Sequence, residues 1–306
     1  MQINEKRTSP IALGTAAYGN GISERDAFLL IDKYLDLGGN VLDTARVYGE
    51  SEGTIGKYLS SHNNREKLII ATKGAHYDLV TKEKRVTAQA ITEDVETSLK
   101  NLNTDYVDIY WLHRDDESIP AGEIVEMTAP LVKSGKALTL GVSNWRAERI
   151  AEANEYADAH NLPKFLASQI KHSAAVSVNE TDPTILSLDN ASRPFYEHEK
   201  MPIFAFTSQA KGLFSKLERL GESGISEGLR REFFCEETLR RYREIKNLSL
   251  ILERPVSQIA LAMLMRDPHL EIIPIIGGKT TEQIADSMAA LEIKLTELQY
   301  ETVMKG

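Results

Sequence analysis

Cysteine is nearly absent. Cys235 is the only one in 306 residues, which excludes an intrachain disulfide and any cluster of cysteine-bound metal. Positive charge is not in excess either. Lys and Arg number 36 against 45 Asp and Glu, a formal net charge of −9, so the chain is not built for general binding to nucleic acid or anionic membranes. A basic pocket for an anionic cofactor needs only a few residues and is not excluded. No apolar run approaches the roughly 20 residues of a membrane span. Met1–Pro10 is polar and lacks the apolar centre of a signal peptide. The expectation is a soluble protein in a reduced, cytoplasmic setting, with no nucleic-acid or membrane partner. A GxGxxG turn is also missing: Gly14-Thr15-Ala16-Ala17-Tyr18-Gly19 does not supply it, which argues against a Rossmann fold. With no linker-like or low-complexity segment, residues 1–306 are expected to form one domain.

What is present is an ordinary globular composition, 42% hydrophobic and 26% charged, and a monotonous alternation of segments. Short apolar runs read as strands at Ile11–Ala16, Val41–Ala45, Leu68–Lys73, Tyr106–His113, Ala137–Ser143, Phe165–Ile170, Ile203–Thr207 and Glu271–Ile276. Between them lie amphipathic segments that read as helices. The first opens at the N-cap Ser23 and stops at Gly38-Gly39. The others cover Ser51–Ser61, Thr87–Leu102, Gly122–Ser134, Arg146–His160, Glu236–Leu252, Val256–Met265, Thr281–Leu291 and Thr296–Met304. Lys171–Ser192 reads as mostly irregular and Gly212–Gly228 as a Gly/Ser-rich loop. Strands apolar on both faces and separated by helices describe a parallel sheet covered by helices. About eight such units in one chain predict an α/β fold of the (β/α)8 TIM-barrel type.

In such a barrel the active site forms where strands end. Asp43 and Tyr48 follow the second strand, Lys73 the third and His113 the fourth. An apolar strand running straight into Lys73 demands a partner for the ammonium, and Asp43 on the neighbouring strand is the obvious one. An ammonium beside a phenol stabilises the phenolate, so Tyr48 can hand a proton to a developing alkoxide. His113 can donate a hydrogen bond to the same oxygen and orient it. The chemistry implied is carbonyl reduction with a hydride from a cofactor. Taken singly, each residue has a plainer reading: a helix cap for Asp43, a structural ion pair or Schiff-base nucleophile for Lys73, a hydrogen-bonded structural role for His113. Asp115 and Asp116 beside His113 lack a second histidine at ligand spacing, and no metal is expected.

The run Asp43-Thr44-Ala45 with Tyr48-Gly49, then Ala71-Thr72-Lys73, Trp111-Leu112-His113 and Gly141-Val142-Ser143-Asn144, resembles the aldo-keto reductase family over essentially the whole chain. The resemblance implies a catalytic tetrad of Asp43, Tyr48, Lys73 and His113. It implies that Ser143, Asn144 and Gln169 hold the nicotinamide carboxamide and that Phe206 stacks on the ring where the family often has tyrosine. Thr207, Gln209, Lys211 and Gly212 resemble the loop over the pyrophosphate, although Thr207-Ser208-Gln209 departs from the usual Ser-Pro-Leu. Gly278, Lys279, Thr280, Gln283 and Asp286 resemble the segment that grips the 2′-phosphate end, with Asp286 where many relatives have asparagine. NADPH is therefore the expected cofactor, with NADH as the alternative.

The substrate pocket is expected to be an aromatic cup of Tyr18, Tyr48, Trp111, His113 and Trp145, with Arg114 nearby for an anionic or polyhydroxy group. A small carbonyl compound is the expected substrate, sugar-derived carbonyls included, and the sequence is compatible with a monomer or a homo-oligomer. Two other readings stand beside the reductase: a nicotinamide-binding sensor on the same fold with little turnover, and a Schiff-base aldolase using Lys73.

Overall fold

The computed structural model describes residues 1–305. Two very short strands, β1 (Gln2–Ile3) and β2 (Lys6–Arg7), pair antiparallel at the start of the chain. Eight more follow: β3 (Ala12–Gly14), β4 (Val41–Asp43), β5 (Ile69–Gly74), β6 (Val107–Leu112), β7 (Ala137–Ser143), β8 (Phe165–Lys171), β9 (Ile203–Phe206) and β10 (Ile272–Ile276). They close into a parallel barrel in the order β10-β3-β4-β5-β6-β7-β8-β9, the (β/α)8 architecture that the alternation of segments predicts.

The first helices are α1 (Glu24–Asp36), α2 (Ser51–His62), α3 (Ala88–Leu102), α4 (Ala121–Lys133) and α5 (Ala147–Ala159). Each returns the chain from the end of one strand to the start of the next. Local chemistry sets their ends. The Ser23 hydroxyl accepts from the amide of Asp26 at 3.1 Å, satisfying one of the unpaired N–H groups at the start of α1. Gly38, with φ of +84°, turns the chain away from α1's last turn.

The second half departs from expectation in two places. The stretch Gly212–Gly228 is largely helical, with α7 (Leu213–Leu220) and the start of α8 (Glu227–Phe233), and α6 (Arg193–Glu199) follows the irregular segment. Leu213, Phe214 and Leu217 form a buried stripe with helical spacing, but eight residues between glycines are too few to carry a periodic signal. The remaining helices are α9 (Glu236–Leu252), α10 (Val256–Met265), α11 (Thr281–Met288) and α12 (Glu297–Met304). Among the described residues no single helix is long and apolar enough to cross a membrane.

Successive side chains along each strand point to opposite faces. Val41, Ile69, Ala71, Ile109, Trp111, Ala167 and Phe204 face inward and fill the barrel. Leu42, Ile70, Tyr110 and Leu140 face outward into the layer beneath the helices. The terminal hairpin, invisible as pattern because each strand has two residues, belongs to the inner cluster through Ile3. Lys6 Nζ donates to the carbonyl of Leu68 at 2.6 Å, just before β5 begins. The hairpin thus closes the N-terminal end of the barrel and leaves the strands' C-terminal ends open.

Candidate active site

Because β4, β5 and β6 are neighbours, the inward positions at their ends fall side by side. Asp43 pairs in register with Ala71, and Lys73 with Trp111. Asp43, Lys73 and His113 continue the inward rows, and all three are buried. Lys73 Nζ donates to Asp43 Oδ2 at 2.6 Å and to the carbonyl of Thr44 at 2.7 Å. Burial works against the charge of Lys73, but Asp43 and the Tyr48 phenol outweigh it, so the ammonium holds its proton more tightly than usual. Its nitrogen lies 5.0 Å from the centre of the Tyr48 ring.

His113 completes the arrangement from the other side, its ring edge-on to Tyr48 with centroids 5.8 Å apart. Burial, reinforced by the charges of Lys73 and Arg114, pushes its pKa well below the ordinary histidine value, so the imidazole is neutral. Its Nδ1 is buried without a partner, and the residue lines the same opening as Tyr48. Four residues separated by up to 70 positions thus come together: Asp43, Tyr48 and the neutral His113 line one opening, and the protonated Lys73 sits behind the tyrosine, paired with Asp43.

The opening belongs to a cleft of about 1320 Å³ that runs across the C-terminal ends of the strands. Ser143, Asn144 and Gln169 line it, and their hydrogen bonds fix how each is presented. Gln169 Nε2 donates to Asp43 Oδ1 at 2.9 Å. Its amide nitrogen is therefore engaged and its carbonyl oxygen is the group left for a ligand. Asn144, in the left-handed conformation with φ of +58°, donates to Ser143 Oγ at 3.0 Å and accepts from the amide of Leu186 at 3.1 Å. It therefore also ties down the long loop after β8.

Phe206, Thr207, Gln209, Lys211 and Gly212 all line the same cleft. Gln209 reaches across to Ser287 Oγ at 3.0 Å, joining the loop after β9 to α11. Lys211 is paired with Glu232, which is also bonded by the buried Lys171. In this structure Lys211 is thus held by a carboxylate rather than standing free for an anion.

The far arm of the cleft lies between α7 and α11. Gly278, Lys279, Gln283 and Asp286 line it. Thr280 does not: its hydroxyl caps α11, accepting from the amide of Gln283 at 3.3 Å. Asp286 is satisfied by Ser257 Oγ and Gln258 Nε2, both at 2.8 Å. Lys216 and Arg219 of α7 also face this arm. They escaped the reading of the sequence because their helix did. An anion entering the arm meets Lys216, Arg219 and Lys279, the amides that open α11, and two carboxylates, Glu282 and Asp286.

On the other side the expected aromatic cup needs correction. Tyr18 and Arg114 line the cleft, but Trp111 and Trp145 do not. Trp111 is wholly inside the barrel against Phe204. Gly141 makes room for it, since a Cβ there would fall 2.3 Å from the indole. Trp145 packs under the helical layer against Phe165. Both are large apolar side chains whose strand parity or loop position directs them into the core, which proximity in sequence to His113 and Asn144 does not reveal. The cleft wall is made instead by Ile22, Val47, His76, Leu79 and Ile185. Arg114 donates to Thr184 Oγ1 at 2.8 Å and to the carbonyl of His113 at 2.8 Å, and pairs with Asp182.

The loop that carries His76 and Leu79 is held at its root. Gly74 has no space for a Cβ, which would lie 1.9 Å from the Tyr110 hydroxyl. Ala75, with φ of +57°, donates its amide to Asp94 Oδ2 at 2.8 Å. Arg85, where the loop returns, binds both oxygens of Asp94 at 2.9 Å.

The donor set fits a nicotinamide dinucleotide. A polar trio of Ser143, Asn144 and Gln169 sits near Tyr48 and His113, Phe206 offers a ring face, and the far arm collects three cations and a helix N-terminus. Tyr18 also lines the cleft, and its hydroxyl is buried without a partner.

A model of the aldo/keto reductase family matches residues 10–305. Among similar proteins are norsolorinic acid reductase stcV of Emericella nidulans, 30% identical over 95% of this chain and 76% of that one, and norsolorinic acid reductase B of Dothistroma septosporum, 29% identical over 97% and 78%. An NADP(+) aryl-alcohol dehydrogenase of Phanerodontia chrysosporium is 29% identical over 96% of this chain and 81% of its own length.

Proposed function

The chain belongs to the aldo/keto reductase family and is an NAD(P)H-dependent oxidoreductase; on that premise we propose that it reduces an aldehyde or ketone to the alcohol with NADPH, using Tyr48 as the acid. The observation that carries the reading is that Tyr48 and the neutral His113 share one opening of a cleft of about 1320 Å³, with the Lys73–Asp43 pair directly behind the tyrosine. The reduced nicotinamide supplies the hydride when bound. Tyr48 gives its phenolic proton to the carbonyl oxygen as negative charge grows there. The Lys73 ammonium, kept charged by Asp43, stabilises the phenolate that remains. His113, being neutral, donates a hydrogen bond to the substrate oxygen without competing as a proton source. Gln169 and Thr44 hold Asp43 and Lys73 so that neither must reorganise during the step.

Lys73 is ill suited to a Schiff base, which requires a free neutral amine; its burial is outweighed by Asp43 and Tyr48, and its protons are engaged by Asp43 and Thr44. Lys216, Arg219 and Lys279 favour the extra phosphate of NADPH over NADH. The name of the Phanerodontia relative, which specifies NADP(+), supports the same preference. The test is oxidation of NADPH by purified protein in the presence of para-nitrobenzaldehyde. Consumption that depends on both aldehyde and Tyr48 is expected. Tight NADPH binding with no turnover across a broad set of aldehydes and ketones would instead support the sensor.

A further inference from the structure

His76 has no part in the chemistry above, yet it lies in the cleft wall with its ring edge-on to His113, centroids 4.6 Å apart. A substrate whose oxygen meets Tyr48 and His113 must pass beside it. The ring is buried, and its Nδ1 lies 2.8 Å from the carbonyl of Tyr77. A carbonyl only accepts, so Nδ1 carries the proton and, in the neutral ring, Nε2 is a bare acceptor. Burial, helped by the charge of Arg114, keeps the ring neutral at ordinary pH.

The position of this acceptor is fixed. Asp94 grips both ends of the loop, at Ala75 and Arg85. Within it, Asp78 Oδ1 accepts from the amides of Val80 and Thr81 at 2.8 and 2.7 Å. The wall around it carries the apolar side chains Ile22, Val47, Leu79 and Ile185, with Arg114 beside them. A mostly apolar wall with one held acceptor suits an aryl ring bearing one hydrogen-bond donor.

We propose that His76 is a specificity-determining residue that accepts a hydrogen bond from a ring hydroxyl of the substrate, so the preferred substrates are hydroxyaryl carbonyl compounds. The inference rests on the carbonyl-reductase reading given above. The donor is a neutral hydroxyl and not an ammonium, since Lys82 and Arg114 stand close to the ring. It is not a carboxylate, which would face the lone pair of Nε2 and find Arg114 already engaged by Asp182. Nor does it sit on the ortho carbon, where a hydroxyl folds back on its own carbonyl. With its carbonyl oxygen at Tyr48 and His113, such a substrate would bring a meta hydroxyl, which lies nearer that oxygen than a para hydroxyl does, to the imidazole 4.6 Å from His113.

The test compares meta-hydroxybenzaldehyde with meta-methoxybenzaldehyde, two substituents of similar size and electronic effect of which only one donates. The wild-type enzyme is expected to favour the hydroxyl compound by about tenfold in kcat/KM, mostly through KM, with no such preference for the para pair. In His76→Phe the meta ratio should fall to about one, whatever the overall rate. His76→Gln, which keeps an acceptor, should retain part of it. A wild-type ratio near one, a preference confined to the para pair, or a meta preference that survives His76→Phe would each overturn the assignment while leaving the reductase reading intact. No turnover of these aldehydes alongside turnover of other carbonyl compounds overturns this inference alone; no turnover across a broad set of aldehydes and ketones overturns the reductase reading, and this inference with it.

Discussion

Gln169 and Asp43, 126 positions apart in the chain, meet inside the barrel at 2.9 Å, the amide of one donating to the carboxylate of the other. The contact joins the polar trio of Ser143, Asn144 and Gln169 to the ion pair behind the tyrosine. Gln169→Leu removes the donor and leaves a buried carboxylate oxygen unpaired, at a cost of about 1–3 kcal/mol. Urea unfolding should show a lower midpoint with an unchanged slope. An unaltered midpoint would mean that Asp43 is held by Lys73 and does not need the amide.

The Lys73–Asp43 pair separates stability from turnover. Lys73→Met strands a buried carboxylate and should destabilise by about 3–5 kcal/mol. The double variant Lys73→Met/Asp43→Leu removes both charges and should recover most of that loss while remaining inactive. Recovery of activity in the double variant would dismiss the ammonium as a stabiliser of the phenolate.

Tyr48→Phe keeps the ring beside His113 and deletes only the acid. Aldehyde reduction should fall by about 10²- to 10⁴-fold, with NADPH affinity, followed by tryptophan fluorescence, little changed. A variant reducing aldehydes at nearly the wild-type rate would remove Tyr48 from its role.

The depressed pKa of His113 makes stability sensitive to acid. The folded protein holds this ring neutral, whereas the unfolded chain binds a proton below its ordinary value of about 6.5. The stabilisation is therefore complete above pH 6.5 and is lost as the pH falls toward the lower folded value. His113 alone adds a dependence approaching about 1.4 kcal/mol per pH unit in that window. Urea midpoints at pH 7 and at about 5.5 should differ less in His113→Gln than in the wild type. Equal differences would place the charged ring in the folded state.

At the far arm, Lys279→Ala should weaken NADPH by about tenfold and leave NADH nearly unchanged, as expected for one lost charge-assisted contact. Asp286→Asn should act in the opposite direction by removing a negative charge while keeping an acceptor for Ser257 or Gln258. If isothermal titration gives equal losses for both cofactors in Lys279→Ala, the phosphate lies elsewhere.

The barrel and the placement of three residues at its mouth were legible in the sequence because strand parity is strict; Tyr48, in the loop after β4, was read from its spacing to Asp43. Once Val41, Ala71 and Trp111 are inward, Asp43, Lys73 and His113 must be inward as well. That parity, applied one step further, would also have put Trp111 inside the barrel and not in the pocket. Other features had no such signal. The hairpin at Ile3 is too short for a period, and the stripe Leu213, Phe214 and Leu217 is only one turn long. Lys216 and Arg219 go unnoticed without the helix that carries them to the cleft. His76 follows a turn whose left-handed residue is alanine, Ala75 with φ of +57°, so nothing in the letters marks the chain's change of direction there.

The grip of Asp94 on Ala75 and Arg85 isolates what lies between. The barrel contributes fixed points at either end, and the intervening residues reach the cleft without carrying the fold. Residues 76–84 are in that sense a cassette. Segments of different length and chemistry, spliced between the same two anchors with His76 kept against His113, could retarget the enzyme to new carbonyl compounds while Tyr48 and the Lys73–Asp43 pair stay as they are.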